Sequence, residues 1–194
     1  MASANLARNL YQQGRHAEAE AGLRQAVDNV RNREGEASIN YGIGVANLAI
    51  ELQAQGRHAE ALPGLRQALG VLQRARGRDN ADNVLTINAL ARSIEVVEGP
   101  TAALPLYREA VAISQATRLP GHPQTTTVTT DLAKTLLASG QPEPAIEVLR
   151  DLADAVLGRA TAATRVNATQ AAAEFDRTRS LFRLQVQAAW DLAF

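Results

Sequence analysis

One block of the chain returns at a fixed distance. Residues 5–27 read NLARNLYQQGRHAEAEAGLRQAV and residues 47–69 read NLAIELQAQGRHAEALPGLRQAL, identical at 16 of 23 positions without a gap. The same offset of 42 residues reaches two fainter copies at 90–111 and 132–153. Units of this length cannot bury their own apolar face and do so by stacking on copies of themselves. The chain therefore has a long, thin core shared by neighbouring units, and its function belongs on a surface.

At this offset the apolar positions stay in register. Leu6, Leu48, Leu90 and Leu132 are each followed by alanine, and Ala19, Ala61, Ala103 and Ala145 fall in line further on. Large side chains beside small ones are what close helix packing requires. Composition agrees, being rich in Ala, Leu, Gln, Glu and Arg with only 4% aromatic residues, so the expected class is all-α.

Each unit reads as two helices. In the second, Ile39, Ile43, Ala46, Leu48, Ile50 and Leu52 mark a helix A over 38–55, which Gly56 stops at a position where positive φ is cheap only for glycine. A helix B over 58–75 carries Ala61, Leu62, Leu65, Ala68, Leu69 and Leu72 at helical spacing. By the same pattern we expect helices over 3–13 and 16–33, 81–97 and 100–117, and 123–139 and 142–158. Asp79, Asn80 or Asp82 is placed to cap the third helix A. Glu98 replaces the turn glycine of Gly14, Gly56 and Gly140, with Gly99 following, so that turn should differ. Pro63 and Pro105 sit early in helix B, where a loosened first turn is expected. The expected domains are four repeats over 1–161 (about 1–35, 36–77, 78–119 and 120–161, the first short of part of helix A). A capping helix over 162–194 follows, with Phe175, Phe182, Val186, Ala189, Trp190 and Ala193 as its apolar stripe.

Leu-Ala in helix A, Gly-Arg-His-Ala-Glu-Ala at the turn and Leu-Arg-Gln-Ala in helix B resemble the tetratricopeptide repeat, in the 42-residue form of kinesin light chains. The resemblance covers about residues 1–160. It implies a right-handed α-solenoid of antiparallel helix pairs, closed by the C-terminal helix, and a non-catalytic scaffold that binds a peptide or protein segment in a concave groove lined by helix A. The closing segment EFDRTRSLFRLQVQAAWDLAF is similar to the helical stretch that precedes CHAT protease domains in bacterial proteins. That gives an alternative reading: a regulatory or sensor segment of a larger effector enzyme.

The groove candidates stand in two rows. Before each Leu-Ala pair stand Asn5, Asn47, Ala89 (with Asn88 adjacent) and Asp131; one turn later stand Asn9, Glu51, Ser93 and Thr135. In related repeats an asparagine ladder grips a peptide main chain, since a carboxamide both donates and accepts. Trp190 and Phe194 are divided between cap packing and contact with an outside partner, and the C-terminal helix is also a candidate for self-association.

Other chemistries are disfavoured. The 20 basic and 20 acidic residues cancel, which leaves no electrostatic footprint for nucleic acid or an anionic bilayer. With no cysteine, thiol nucleophiles, disulfides and cysteine-zinc sites are excluded, and a cytoplasmic location is expected. No 18-residue apolar stretch or leader pattern occurs. One lysine among many arginines is a bias associated with GC-rich bacterial genomes. His16, His58 and Glu20 lack a third metal ligand, so the histidines are read as packing residues at the turn, and His122 as a loop residue. Arg24, Arg66, Arg108 and Arg150 read as a solvated face. Gly42-x-Gly44 is a fragment of a dinucleotide fingerprint without its strand or third glycine, and Asp79-x-Ala81-x-Asn83 lacks calcium-loop ligands. No enzyme, cofactor or metal is expected.

Overall fold

The computed structural model describes residues 9–10, 13–117, 122–164, 183–184, 186 and 188–190. They form seven long helices: α1 (His16–Glu34), α2 (Ile39–Ala54), α3 (His58–Arg76), α4 (Val84–Glu98), α5 (Pro100–Thr117), α6 (Pro123–Ala138) and α7 (Pro142–Thr164), with a 3₁₀ turn at Ala81–Asn83 before α4. No strand occurs among the described residues. The chain divides into two compact units, 1–97 and 98–194. In the first, α2 packs against α1 and α3; in the second, α6 packs against α5 and α7.

The repeat appears as one turn built three times. Arg15, Arg57 and Gln141 each donate a backbone N–H to the carbonyl five residues back, that of Leu10, Leu52 and Leu136, at 2.9, 3.0 and 2.9 Å. Gly56 and Gly140 add the inner bond to Gln53 and Leu137 at 2.9 and 3.0 Å. This is the two-bond glycine C-cap that satisfies orphan carbonyls at a helix end. The intervening Gly14, Gly56 and Gly140 have φ of +75°, +76° and +69°. The third turn differs, as expected: α4 runs through Glu98 and only Gly99, at φ +99°, separates it from α5.

The first unit's core lies between its A and B helices. Ala19 and Leu23 gather Leu10 and Leu48, while Tyr41, Val45, Ala46 and Ala68 gather Val27 and Val30. Two glycines bring α2 close to both neighbours. A Cβ on Gly42 would stand 3.0 Å from Val71 Cγ1, and one on Gly44 would stand 3.2 Å from Val27 Cγ2. In the second unit Ala133, Leu149, Leu152 and Val156 form a cluster that also receives Val148 and Leu184. Leu184 and the buried Ala188 thus face inward, whereas Val186 and Trp190, two residues on from each, are exposed. The rest of the expected capping helix, with Phe175, Phe182 and Phe194, lies outside the described residues, as does most of the expected helix 3–13.

Two local expectations change. α3 and α5 run unbroken through Pro63 and Pro105, so the first turn is not loosened. Each proline removes one bond, to the carbonyl of Ala59 or Thr101, and those residues are exposed, where water can serve the carbonyl instead. His122 is more than a loop residue: its Nδ1 accepts from the N–H of Gln124 at 3.2 Å and caps α6. Asn80 caps the 3₁₀ turn that leads into α4, accepting from Asp82 N at 2.8 Å.

Thr129 occupies the register position of Val45 and Ile87 and is buried, yet its hydroxyl has no hydrogen-bond partner among the described residues. A buried unsatisfied hydroxyl costs about 1–3 kcal/mol. Thr129→Val is therefore expected to raise stability by about 1 kcal/mol in denaturant titration; a loss would show that the hydroxyl has found a partner.

Candidate functional site

The exposed side of helix A follows from what its other sides touch. Gly44 faces α1, behind it in sequence. Gln53 faces α4, ahead of it: its Nε2 donates to Ala89 O at 2.7 Å and to Ser93 Oγ at 2.9 Å. Tyr41, Val45, Ala49 and Leu52 are buried in the core. At about 100° per residue, what remains is the stripe Ile43, Asn47, Ile50 and Ala54. The corresponding stripe on α4 is Leu85, Ala89, Arg92 and Val96.

Exposure agrees with this assignment. Ile43 is 37%, Leu85 57% and Val96 64% exposed, all high for large aliphatic side chains. Arg92 and Ala54 are exposed, Asn47 and Ile50 are half-buried, and Ala89 is buried. The wall that α2 and α4 present is thus mostly aliphatic, with one carboxamide and one guanidinium. In the second unit the same register on α6 gives Thr127, Asp131, Lys134 and Ala138, of which Thr127, Lys134 and Ala138 are exposed and Asp131 is half-buried.

The residues chosen from the sequence divide accordingly. Asn47 and Asp131 fall on the outward stripe. Asn5 and Phe194 lie outside the described residues. Ser93 is fully buried and accepts from Gln53, so its register position faces the preceding helix A. Glu51, half-buried, and Asn9, exposed, share that position. Thr135, also of that row, is fully buried and donates to Asp131 O at 2.9 Å. Asn88 is buried as well. Trp190 is 61% exposed. Sequence reasoning missed Ile43, Leu85, Arg92 and Val96. The signal that would have found them is the i, i+4, i+7, i+11 stripe on the side opposite the alanines.

The turns hold an ion-pair cluster. Glu20, mostly buried, pairs with Arg24 at 2.6 Å, the expected i, i+4 partner, and with Arg57 at 2.7 Å. Arg57 also binds Glu60 at 2.6 Å, and Arg15 binds Glu18 at 2.6 Å one period earlier. The Arg57 hydrogen bond holds the Glu60 carboxyl below its ordinary range, and Arg15 does the same for Glu18. Both of Glu20's oxygens are engaged by guanidinium groups. No group of three His, Cys, Asp or Glu residues suited to a metal occurs among the described residues. Arg24, Arg66, Arg108 and Arg150 are all exposed. No described helix is long and apolar enough to cross a membrane.

Comparisons with known proteins fit this geometry. The family model described as tetratricopeptide repeat matches residues 1–74 and 83–157. A protein of Podosopora anserina, described as a kinesin light chain with nearly identical TPR-like repeats, superposes with a TM-score of 0.73 at 22% identity, over 99% of this chain and 94% of that one. BtubC (BKLC) from P. vanneervenii gives a TM-score of 0.72 at 19% identity, over 85% of this chain and 64% of that one. At these identities the likeness is one of fold: all-α, helical-repeat. No curated protein sequence matches the chain.

Proposed function

Because the chain belongs to the tetratricopeptide repeat family, whose fold suggests a protein–protein interaction scaffold, we propose that it binds a peptide or protein segment along the outward stripes of its A helices and performs no chemistry of its own. One observation carries this reading. Large aliphatic side chains are left exposed at equivalent register positions of α2 and α4, Ile43 and Leu85, beside the carboxamide of Asn47. Solvated helix faces gain nothing from isoleucine and leucine, whereas a bound segment buries them at about 25 cal/mol per Å² of apolar surface. Asn47 supplies a donor and an acceptor for a peptide main chain, and Asp131 holds the equivalent position on α6.

The test is selection from a random-sequence peptide display library on the full chain. Peptides should be enriched on the native sequence and lost when Ile43→Asp is combined with Asn47→Ala. The thermal midpoint should move by no more than a few degrees, since neither side chain is in the core. Enriched peptides retained undiminished by the double variant would overturn the assignment of the stripe.

A further inference from the structure

A second apolar face lies open, away from the A-helix wall. The described residues between 183 and 190 are helical. One side of this helix is held: Leu184 packs on the cluster of Ala133, Leu149, Leu152 and Val156, and Ala188 is fully buried. At about 100° per residue, Arg183, Val186 and Trp190 fall within about 60° of one another on the other side, and all three are exposed. Val186, at 69%, is the most exposed large hydrophobic side chain described, and Trp190 is the only tryptophan of the chain. Arg183 has neither an ion pair nor a hydrogen bond among the described residues. A further helix stacked as in the first unit does not suit this face. There Gly42 and Gly44 let α2 approach both neighbours closely, whereas Arg183, Val186 and Trp190 offer no small residue for such an approach.

We propose that this face joins two copies of the chain, antiparallel about a two-fold axis beside Val186. A two-fold contact requires a patch complementary to itself, and this one is. Arg183 and Trp190 stand about 10 Å apart along the helix at 1.5 Å per residue, with Val186 close to midway. Reversing one copy on the other lays the Arg183 guanidinium over the indole of the partner's Trp190, and the same contact forms again across the axis with the valines between. A guanidinium is attracted to an indole face, more strongly once water is excluded, and arginine and tryptophan are the side chains that carry most binding energy at interfaces. A parallel pairing would instead set Arg183 against its own copy. The patch is small, so the pair belongs among transient contacts rather than permanent ones.

The experiment uses the full chain. Because Trp190 is the only tryptophan, its fluorescence reports on this face alone. Sedimentation equilibrium and emission spectra are recorded up to about 1 mM protein, where weak specific pairing is still populated. The mass should rise from one copy towards two, and the emission maximum should shift to shorter wavelength over the same concentrations. Val186→Glu and Arg183→Glu, both at exposed positions, should each raise the dissociation constant by roughly tenfold or more, with the thermal midpoint of the dilute protein unchanged, while Arg183→Lys keeps part of the affinity. A chain that stays monomeric throughout would overturn the proposal and give the face to a different partner. A dimer that leaves the emission unmoved, or that survives both glutamate variants undiminished, would overturn it by placing the contact elsewhere.

Discussion

Replacing Leu65 by alanine is expected to lower the unfolding free energy by about 2–5 kcal/mol, the cost of removing a fully buried leucine whose surroundings cannot collapse. Leu65 is 0% exposed in α3, and the register-equivalent Leu149 of α7 is 0% exposed in the second unit. Each stands one helical turn after an alanine of the periodic row, Ala61 or Ala145, also at 0%. Small neighbours of this kind admit the leucine and cannot grow to fill the space it leaves. Leu149→Ala should therefore lose a similar amount, although it belongs to the other compact unit. The measurement is denaturant unfolding of both single variants. A loss below about 1 kcal/mol for either would mean that the cavity closes, and that the small and large rows are not fixed against one another.

Gly42→Leu is expected to destabilise by about 1–3 kcal/mol through overpacking, despite replacing a glycine within a helix. Glycine in a helix interior is less favourable than alanine by about 1 kcal/mol, so on propensity alone the change should help. Packing reverses the sign. Even a Cβ at Gly42 would be 3.0 Å from Val71 Cγ1 and 3.2 Å from Val71 Cβ, and a β-branched valine on a helix has little rotamer freedom with which to yield. Gly70 on α3 provides the contrast. A Cβ there meets only the far end of the Arg74 side chain, at 3.5 Å, so Gly70→Ala should gain about 0.5–1 kcal/mol. Thermal unfolding of the two variants beside the native chain checks both signs. A stabilised Gly42→Leu would show that α2 can move away from α3 without loss.

The helices were legible because three signals coincide: the offset of 42, the turn glycines and the apolar spacing. α5 spans Pro100–Thr117 as expected, and α1 through α3 fall within a residue of the expected ends. α7 extends to Thr164, six residues past the expected 158, since no glycine with positive φ stops it there. The outward face was only half legible. The Leu-Ala pair places Asn47 on the outward stripe, but stepping one turn forward to Glu51, Ser93 and Thr135 rotates towards the preceding unit, and only a contact such as Gln53 to Ser93 reveals it. Helical period alone cannot tell a seam from an open stripe, because both carry polar side chains, Ser93 in one and Asn47 on the other. Within the described structure, buried Ser93 and exposed Leu85 invert what hydropathy suggests.

The bridge from Glu20 to Arg57 has a further consequence. The positions equivalent to Glu20 are Leu62, Leu104 and Ile146, and those equivalent to Arg57 after the first pair are Gly99 and Gln141. Near-identical modules could in principle be shuffled, yet this carboxylate finds its guanidinium only when the module bearing Arg57 comes second. A transposed order would leave that acid beside Gly99 with Arg24 alone and set Leu62 against Arg15. The bridge thus acts as an address, writing the sequence of modules into the fold where the modules themselves are almost interchangeable.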